Sequence, residues 1–240
     1  MDVTANESIV KKKGYRRPRT KVGQRVILPY KADKIYTVED LGELEPKPLY
    51  DFVKRLLDIV FAALFLVLLA VPMLLMGLAV WATSKGKALY RQDRLGLNGK
   101  PFKIIKFRSM VEDAEKDGAQ WAQGDGDSRV TRVGMFLRKT RFDELPQLWC
   151  ILKGTMSFVG PRPERAVFYE EFEKYIHGFS QRLKVKPGLT GLAQINGGYD
   201  LRPEQKIVYD VEYIKSRSIR LDIKLMFQTV AVVFNHEGAR

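Results

Sequence analysis

The sequence predicts a mainly α chain with a small β element, an α+β domain held at a membrane, and three observations carry that expectation. From Ile59 to Ser84 it reads IVFAALFLVLLAVPMLLMGLAVWATS without a charged residue, longer than the roughly 20 apolar residues that span a bilayer. Beyond it, apolar residues recur at helical spacing in residues 133–140, 144–152, 165–175, 203–216 and 219–234. Only 88–90 and 102–107 read as strands, on either side of the turn Gly96-Leu97-Asn98-Gly99-Lys100.

With 240 residues, 45% of them hydrophobic, the chain is long enough for one compact domain with a real core. The mean hydropathy of −0.21 is ordinary for a soluble protein and conceals the apolar run. A net charge of +13 points to anionic partners: phosphates, nucleic acid or acidic lipid headgroups. The single cysteine, Cys150, excludes an internal disulfide framework and fits a reducing, cytosolic active domain. His177 and His236 lie far apart, which argues against a structural zinc site. Neither a G-x-S-x-G elbow nor a Walker A sequence occurs, so any chemistry falls to carboxylates, lysines and arginines.

The chain divides into three pieces. Residues 1–50 carry Lys11, Lys12, Lys13, Arg16, Arg17 and Arg19 with scattered prolines, and read as a basic, flexible arm too polar to fold alone. Contact with a membrane surface or a partner is the alternative. A signal peptide does not fit, because the apolar run begins too late. Residues 51–84 are the membrane segment. Lys54 and Arg55 precede its apolar run, while Lys85, Lys87, Arg91 and Arg94 follow it, so both flanks have cytoplasmic character. Pro72 lies near the middle and is expected to break the helix at Val71-Pro72. A re-entrant helix that enters and leaves by one face satisfies both observations, and a kinked span is the alternative. Residues 85–240 form the water-facing domain, with 112–116 as a helical turn, 117–129 as a polar loop, and 219–234 as a core or interfacial helix.

The densest polar constellation is Arg138-Lys139-Thr140-Arg141-Phe142-Asp143-Glu144-Leu145-Pro146. Asp143 is placed to cap a helix, with Pro146 in its first turn. Two carboxylates at a positive helix end among guanidinium groups are expected to stay ionised beside bound phosphate. Such a carboxylate can be a nucleophile or a metal ligand; an ordinary capped helix with surface ion pairs is the alternative. Pro161-Arg162-Pro163 stiffens the backbone around an arginine whose fork suits phosphate. Lys106 and Arg108 are expected on one strand face. Lys186-Pro187-Gly188-Leu189-Thr190-Gly191 reads as a turn whose amides approach phosphate. Gly124-Asp125-Gly126-Asp127 mimics a D-x-D metal motif but reads as a solvated loop.

Taken in order, KRLLDIV, the proline-broken apolar segment, QDRLGLNGKPFKIIKFRSM, LRKTRFDELPQL, LKGTMSFVGPRPE and KPGLTGLAQINGG resemble the bacterial initiating sugar transferases, the monotopic phosphoglycosyl transferases. The resemblance runs from Tyr50 to the end. It implies a monotopic protein of the bacterial cytoplasmic membrane, with a re-entrant helix-break-helix and a catalytic domain facing the cytoplasm. Amphipathic helices would rest on the inner leaflet. The implied reaction moves a sugar phosphate from a UDP-sugar to undecaprenyl phosphate and releases UMP. The implied cofactor is Mg²⁺. Asp143 matches the family's nucleophile and Glu144 its dyad partner, with either carboxylate a candidate metal ligand and Glu144 favoured. Lys106, Arg138 and Arg162, with Pro161 and Pro163, match the phosphate-binding positions. A homodimer stays open, and nothing in the sequence selects the sugar.

Two other classes were weighed. A membrane-tethered basic adaptor or nucleic-acid binder would use the arm, but the basic tract 11–19 interleaves only Tyr15; no nucleic-acid partner is expected. A phosphatidyltransferase would need several spans where the chain has one apolar segment.

Overall fold

The computed structural model describes residues 34–114, 127–197 and 201–235, with side chains as far as 232, together with two short strands outside those ranges. The first two α-helices are α1 (Pro48–Leu68) and α2 (Ala70–Thr83). Pro48 begins α1, where its missing N–H costs nothing. The helix breaks at Leu69 (φ −96°, ψ 7°), and the two halves are bent by 63°. The break therefore falls one turn before Pro72 rather than at Val71-Pro72. The cause is the proline all the same: its ring clashes with the carbonyl four residues back, that of Leu68, and it has no N–H to offer it. No single described helix is long and apolar enough to cross a bilayer, although the bent pair is when taken together.

The rest of the described chain is built from helices around four small strand pairs. Strands β3 (Leu89–Leu95) and β4 (Pro101–Phe107) form the antiparallel hairpin, with Tyr90 opposite Lys106 and Gln92 opposite Ile104. Asn98 takes φ 55° in its turn, a conformation asparagine tolerates. The other pairs are parallel: β1 (Val26–Ile27) with β5 (Ala119–Gln120), β2 (Tyr36–Thr37) with β7 (Ile176–His177), and β6 (Ser157–Val159) with β8 (Gly188–Thr190). The remaining helices are α3 (Arg132–Lys139), α4 (Leu148–Lys153), α5 (Ala166–Phe172), α6 (Leu192–Ile195), α7 (Pro203–Ser216) and α8 (Ile219–Asn235). The chain is thus mainly helical with a small β component.

Residues 34–47, read from sequence as part of the arm, lie against the domain. The Tyr36 and Val38 amides donate to the Tyr175 and His177 carbonyls. Tyr36, Val38 and Leu41 pack on the core cluster of Phe168, Phe172, Ile176 and Phe179. Three apolar side chains are enough to dock a strap that the surrounding polar residues conceal in composition. The basic tract 11–19 and the Gly124-Asp125-Gly126 stretch lie outside the described residues, as does His236. Of residues 112–129, a turn at 112–114 and the segment from Asp127 are described with their side chains.

A second cluster joins α1 to the domain through Ala62, Ile151, Met156, Phe158, Ile214 and Leu225. Polar contacts fix the same joint. The Asp58 carboxylate, 4% exposed, accepts from Ser157 Oγ and the Phe158 amide, each at 3.0 Å. Arg55 donates to the Ile151 and Leu152 carbonyls at 2.7 and 2.8 Å, satisfying orphan acceptors at the end of α4. Lys54 pairs with Asp222 at 2.6 Å. The bent helix pair is therefore held through α1 at a set orientation to the domain. Asp58→Ala would leave two buried donors without an acceptor and is expected to destabilise the protein by about 1–3 kcal/mol. Thermal unfolding in lipid nanodiscs measures this, and an unchanged midpoint would show that water replaces the carboxylate.

Outward from this joint, apolar side chains stand exposed: Val67 at 75%, Leu74 at 62% and Trp81 at 68%. Met135 and Phe136 on α3, Trp149 on α4 and Phe227 on α8 are exposed as well. Apolar surface this extensive needs an apolar environment or partner.

Candidate active site

The carboxylate pair sits on a tight turn. Helix α3 ends at Lys139, Arg141 takes a left-handed conformation (φ 57°), and Phe142–Gln147 then form a 3₁₀ turn leading into α4. Asp143 is the second residue of that turn and caps nothing, contrary to the expectation from sequence. The reversal is made one step earlier by Arg141, so Asp143 is already helical, and a cap must be non-helical. The turn packs against β4, which brings the carboxylates to the hairpin.

Glu144 is held from two sides. Lys106 on β4 donates to its Oε1 at 2.8 Å, and Arg162 donates through Nη2 to Oε1 at 2.5 Å and through Nη1 to Oε2 at 3.4 Å. Arg162 in turn has its backbone fixed by three carbonyls. That of Pro161 accepts from the Gly188 amide (2.9 Å), that of Arg162 from Arg182 (3.0 Å), and that of Pro163 from Arg94 (3.1 Å). Arg182 is itself wholly buried, paired with Asp210 at 2.7 Å. Arg138 reaches the same cavity from α3 and is steadied by the Ser109 hydroxyl at 3.1 Å.

The two carboxylates differ in how tightly they hold a proton. Burial pushes Asp143 up to about 6, and the Glu144 charge adds to the rise while Lys106 and Arg138 oppose it. Burial also works against the Glu144 charge, but Arg162 and Lys106 outweigh it and hold this group well below the usual carboxylate range. The sequence predicts two ionised carboxylates, and burial makes Asp143 the one that keeps its proton up to about 6. Adjacent like charges that cannot both relax are driven apart, the better-paired one keeping its charge.

The remaining expectations divide. Lys106, Arg138, Asp143 and Arg162 all line one open cavity of about 940 Å³, with Glu144 directly behind. Nine basic against four acidic side chains line it, an excess suited to a diphosphate. Arg108 lines the same cavity as Lys106 but lies one residue past the strand. Strand β4 ends at Phe107, and Arg108 turns to the Ser84 carbonyl and hydroxyl at the end of α2. The Lys186–Gly191 stretch is not a phosphate turn. Its Gly188 amide bonds Pro161, while the Ser157 and Gly160 amides bond the Pro187 and Thr190 carbonyls, completing the β6–β8 ladder. A Cβ at Gly160, Gly188 or Gly191 would overlap neighbouring backbone, so these glycines serve close packing. Sequence reasoning missed the Arg94–Glu164 pair at 3.0 Å and the buried Lys206, pushed down to about 8 by burial against the pull of Glu164. Both border the cavity. A lysine at an inward position of an amphipathic helix was the available signal for Lys206.

A hard divalent ion takes oxygen ligands, often one or two carboxylates completed by substrate phosphates. Glu144 already accepts from Lys106 and Arg162, which leaves it less lone-pair capacity for an ion, most of it on Oε2. Asp143 is the less encumbered of the two: it lines the cavity and has no hydrogen-bond partner among the described residues. No group of three or more potential ligands among His, Cys, Asp and Glu gathers among the described residues.

The comparisons with known proteins bear on this arrangement. A family model described as bacterial sugar transferase matches residues 49–236. The chain belongs to the bacterial sugar transferase family. This sugar transferase chain is 42% identical over 203 residues, 83% of its length, to a UDP-N-acetylgalactosamine-undecaprenyl-phosphate N-acetylgalactosaminephosphotransferase of Aeromonas hydrophila, covering 48% of it. It is 42% identical over 216 residues, 84% of its length, to a UDP-glucose:undecaprenyl-phosphate glucose-1-phosphate transferase of Escherichia coli, covering 46%. A Caulobacter vibrioides protein of the latter name is 42% identical over 212 residues, 86% of the chain and 78% of the relative. The sugar transferase chain thus spans about half the length of several curated relatives that it matches. All the residues gathered around the cavity from Trp81 to Lys206 lie inside the matched range.

Proposed function

We propose that this sugar transferase moves a sugar 1-phosphate from a UDP-sugar to undecaprenyl phosphate, in two steps, through a phosphosugar ester on Asp143. The observation that carries the reading is the division of labour in the dyad. Glu144 is held by Lys106 and Arg162, and Asp143 is left unbonded against the cavity. The donor diphosphate would lie against Lys106, Arg138 and Arg162, whose charges offset those of the phosphates and of the transition state. An ionised Asp143 oxygen attacks the phosphorus that bears the sugar. The bond from that phosphorus to the bridging oxygen breaks, its electron pair leaving with UMP. An oxygen of the lipid phosphate then attacks the same phosphorus, and the bond to Asp143 breaks, restoring the carboxylate. Two steps suit substrates that come from water and from membrane and need not share the site. Mg²⁺, held by Asp143 and the donor's phosphate oxygens, would add positive charge at the developing oxyanions. Full activity in excess chelator would exclude it.

Mixing the protein with donor and Mg²⁺ but no acceptor tests the reading. The expected result is a burst of UMP comparable to the enzyme present, with the sugar-phosphate mass on the peptide containing Asp143. Neither appears if the lipid phosphate attacks directly.

The membrane arrangement we propose is re-entrant, with α1 and α2 entering and leaving by the cytoplasmic face of the inner membrane. The 63° bend, the exposed apolar residues flanking it and the basic residues at both ends support this. Cysteines introduced as Pro46→Cys and Lys100→Cys, both exposed positions, are expected to resist an impermeant thiol reagent equally in intact cells. The native Cys150 is buried. Labelling at one site alone would establish a span. Pro72→Leu restores the missing N–H and is expected to shift the population toward that span.

A further inference from the structure

One wall of the cavity carries a row of polar side chains that the transfer chemistry leaves unused. Tyr90, Gln92 and Arg94 share one face of β3 and line the cavity. They are joined end to end. Arg94 donates through Nη1 to Glu164 at 3.0 Å and through Nη2 to Oε1 of Gln92 at 2.6 Å, and Gln92 Nε2 donates to the Tyr90 hydroxyl oxygen at 3.0 Å. A guanidinium can only donate, so the amide end that faces Arg94 must be the oxygen and the other end the NH₂. Gln92 is thereby held in one orientation, and its second Nε2 hydrogen has no partner among the described residues. Tyr90 stands beside it, 41% exposed.

Register places the row relative to the chemistry. Tyr90 stands opposite Lys106, which holds Glu144, and the row runs from there toward Arg94, about 13 Å along the strand. The two-step reading then decides which part of the donor meets it. Asp143 attacks opposite UMP, and the lipid phosphate must attack opposite Asp143, along the position UMP has left. Nucleotide and lipid phosphate therefore share one side of the phosphorus, and the lipid comes from the end of α2, where Trp81 and Lys87 line the cavity. The sugar stays on the phosphorus through both steps and needs a place of its own.

We propose that Tyr90, Gln92 and Arg94, backed by Glu164, form the wall that selects the sugar. Gln92 Nε2 donates to a hydroxyl or acetamido oxygen of the hexose, and Tyr90 and Arg94 hold the amide in position. A neutral, oriented donor discriminates hydroxyl configuration where a mobile charge does not. Relatives at the same 42% identity are named for N-acetylgalactosamine and for glucose, so overall identity to this chain does not tell the two sugars apart. The assignment rests on the two-step reading for its choice of side.

The test measures kcat/KM for UDP-glucose, UDP-galactose and their two N-acetylhexosamine counterparts, with undecaprenyl phosphate in nanodiscs, for wild type, Gln92→Met and Tyr90→Phe. UMP inhibition is measured on each protein. Gln92→Met is expected to lower kcat/KM for the best donor about 10- to 100-fold and to narrow its preference over the C4 epimer by a similar factor. Inhibition by UMP should stay within about twofold, which also reports that the variant is folded. Tyr90→Phe frees Gln92 from its partner and should narrow the same ratio less; it supplies the answer if Gln92→Met does not fold. An unchanged epimer ratio overturns the proposal, and so does a loss of UMP inhibition in step with donor activity, which would put the nucleotide on this wall. The Asp143 adduct in wild type is scored separately. A narrowed ratio upholds the wall even without an adduct, and an adduct with an unchanged ratio overturns the wall alone.

Discussion

Asp143→Asn is expected to lower transfer by about 10³-fold or more, the scale seen when a nucleophile is removed from a site that otherwise still binds its substrate. UMP burst and peptide adduct should vanish together. The same substitution has a second expected effect, opposite in sign, on stability. The folded protein raises the Asp143 carboxyl from its ordinary 3.8 to about 6, mainly through burial, so the folded state binds the proton more tightly than the unfolded one. The stability contributed by that proton is fully present below about 4 and is lost as pH rises through 6. Above pH 6 wild type bears a strained charge that asparagine lacks, and the variant should be more stable by roughly 1–3 kcal/mol. Thermal unfolding at pH 7.5 and pH 4 separates the two proteins in the first condition and not in the second. An inactive variant that is also less stable at pH 7.5 would mean that Asp143 is structural.

Glu144→Gln is expected to act through charge. It leaves Lys106 and Arg162 facing a neutral amide in a buried setting, and breaking such an arrangement costs about 3–5 kcal/mol. The reaction should slow, because the two cations would no longer be held where the diphosphate meets them. The distinguishing readout is the pH profile. Wild-type activity should rise with pH up to about 6, as Asp143 loses its proton, and level off above. The Glu144 charge contributes to that raised value, so its removal should move the rising limb to lower pH. A limb that stays in place, or moves upward, would show that Glu144 does not set the ionisation of Asp143.

Much of this was legible in sequence, for reasons that differ by element. Helix α7 begins and ends where sequence placed it, because Pro203 suits a first turn and the amphipathic pattern runs out at Ser216. Strand β3 proved longer than its three-residue expectation, since Arg91, Asp93 and Arg94 are poor strand formers that the β4 partner keeps in register. The strap at residues 34–47 was hidden because composition averages away three well-placed apolar side chains.

By itself the sequence determined that the apolar run cannot continue as one straight helix, since a proline ring excludes the preceding turn in any surroundings. It determined likewise which charged groups are available, and their grouping around Asp143 and Glu144 resembled a known family. What only the tertiary structure decided is who meets whom. Lys106 arrives from 38 residues before Glu144 and Arg162 from 18 after it, so the unequal ionisation of two adjacent carboxylates depends on contacts no local pattern encodes. The same holds for Gly160 and Gly188, whose amides pair with protein carbonyls, and for Gln92, whose orientation is imposed by an arginine that Glu164 holds. Propensity and sterics act over a few residues and can be read along the chain. Burial and charge act through space, and they differ between neighbours only once the fold has brought distant groups together.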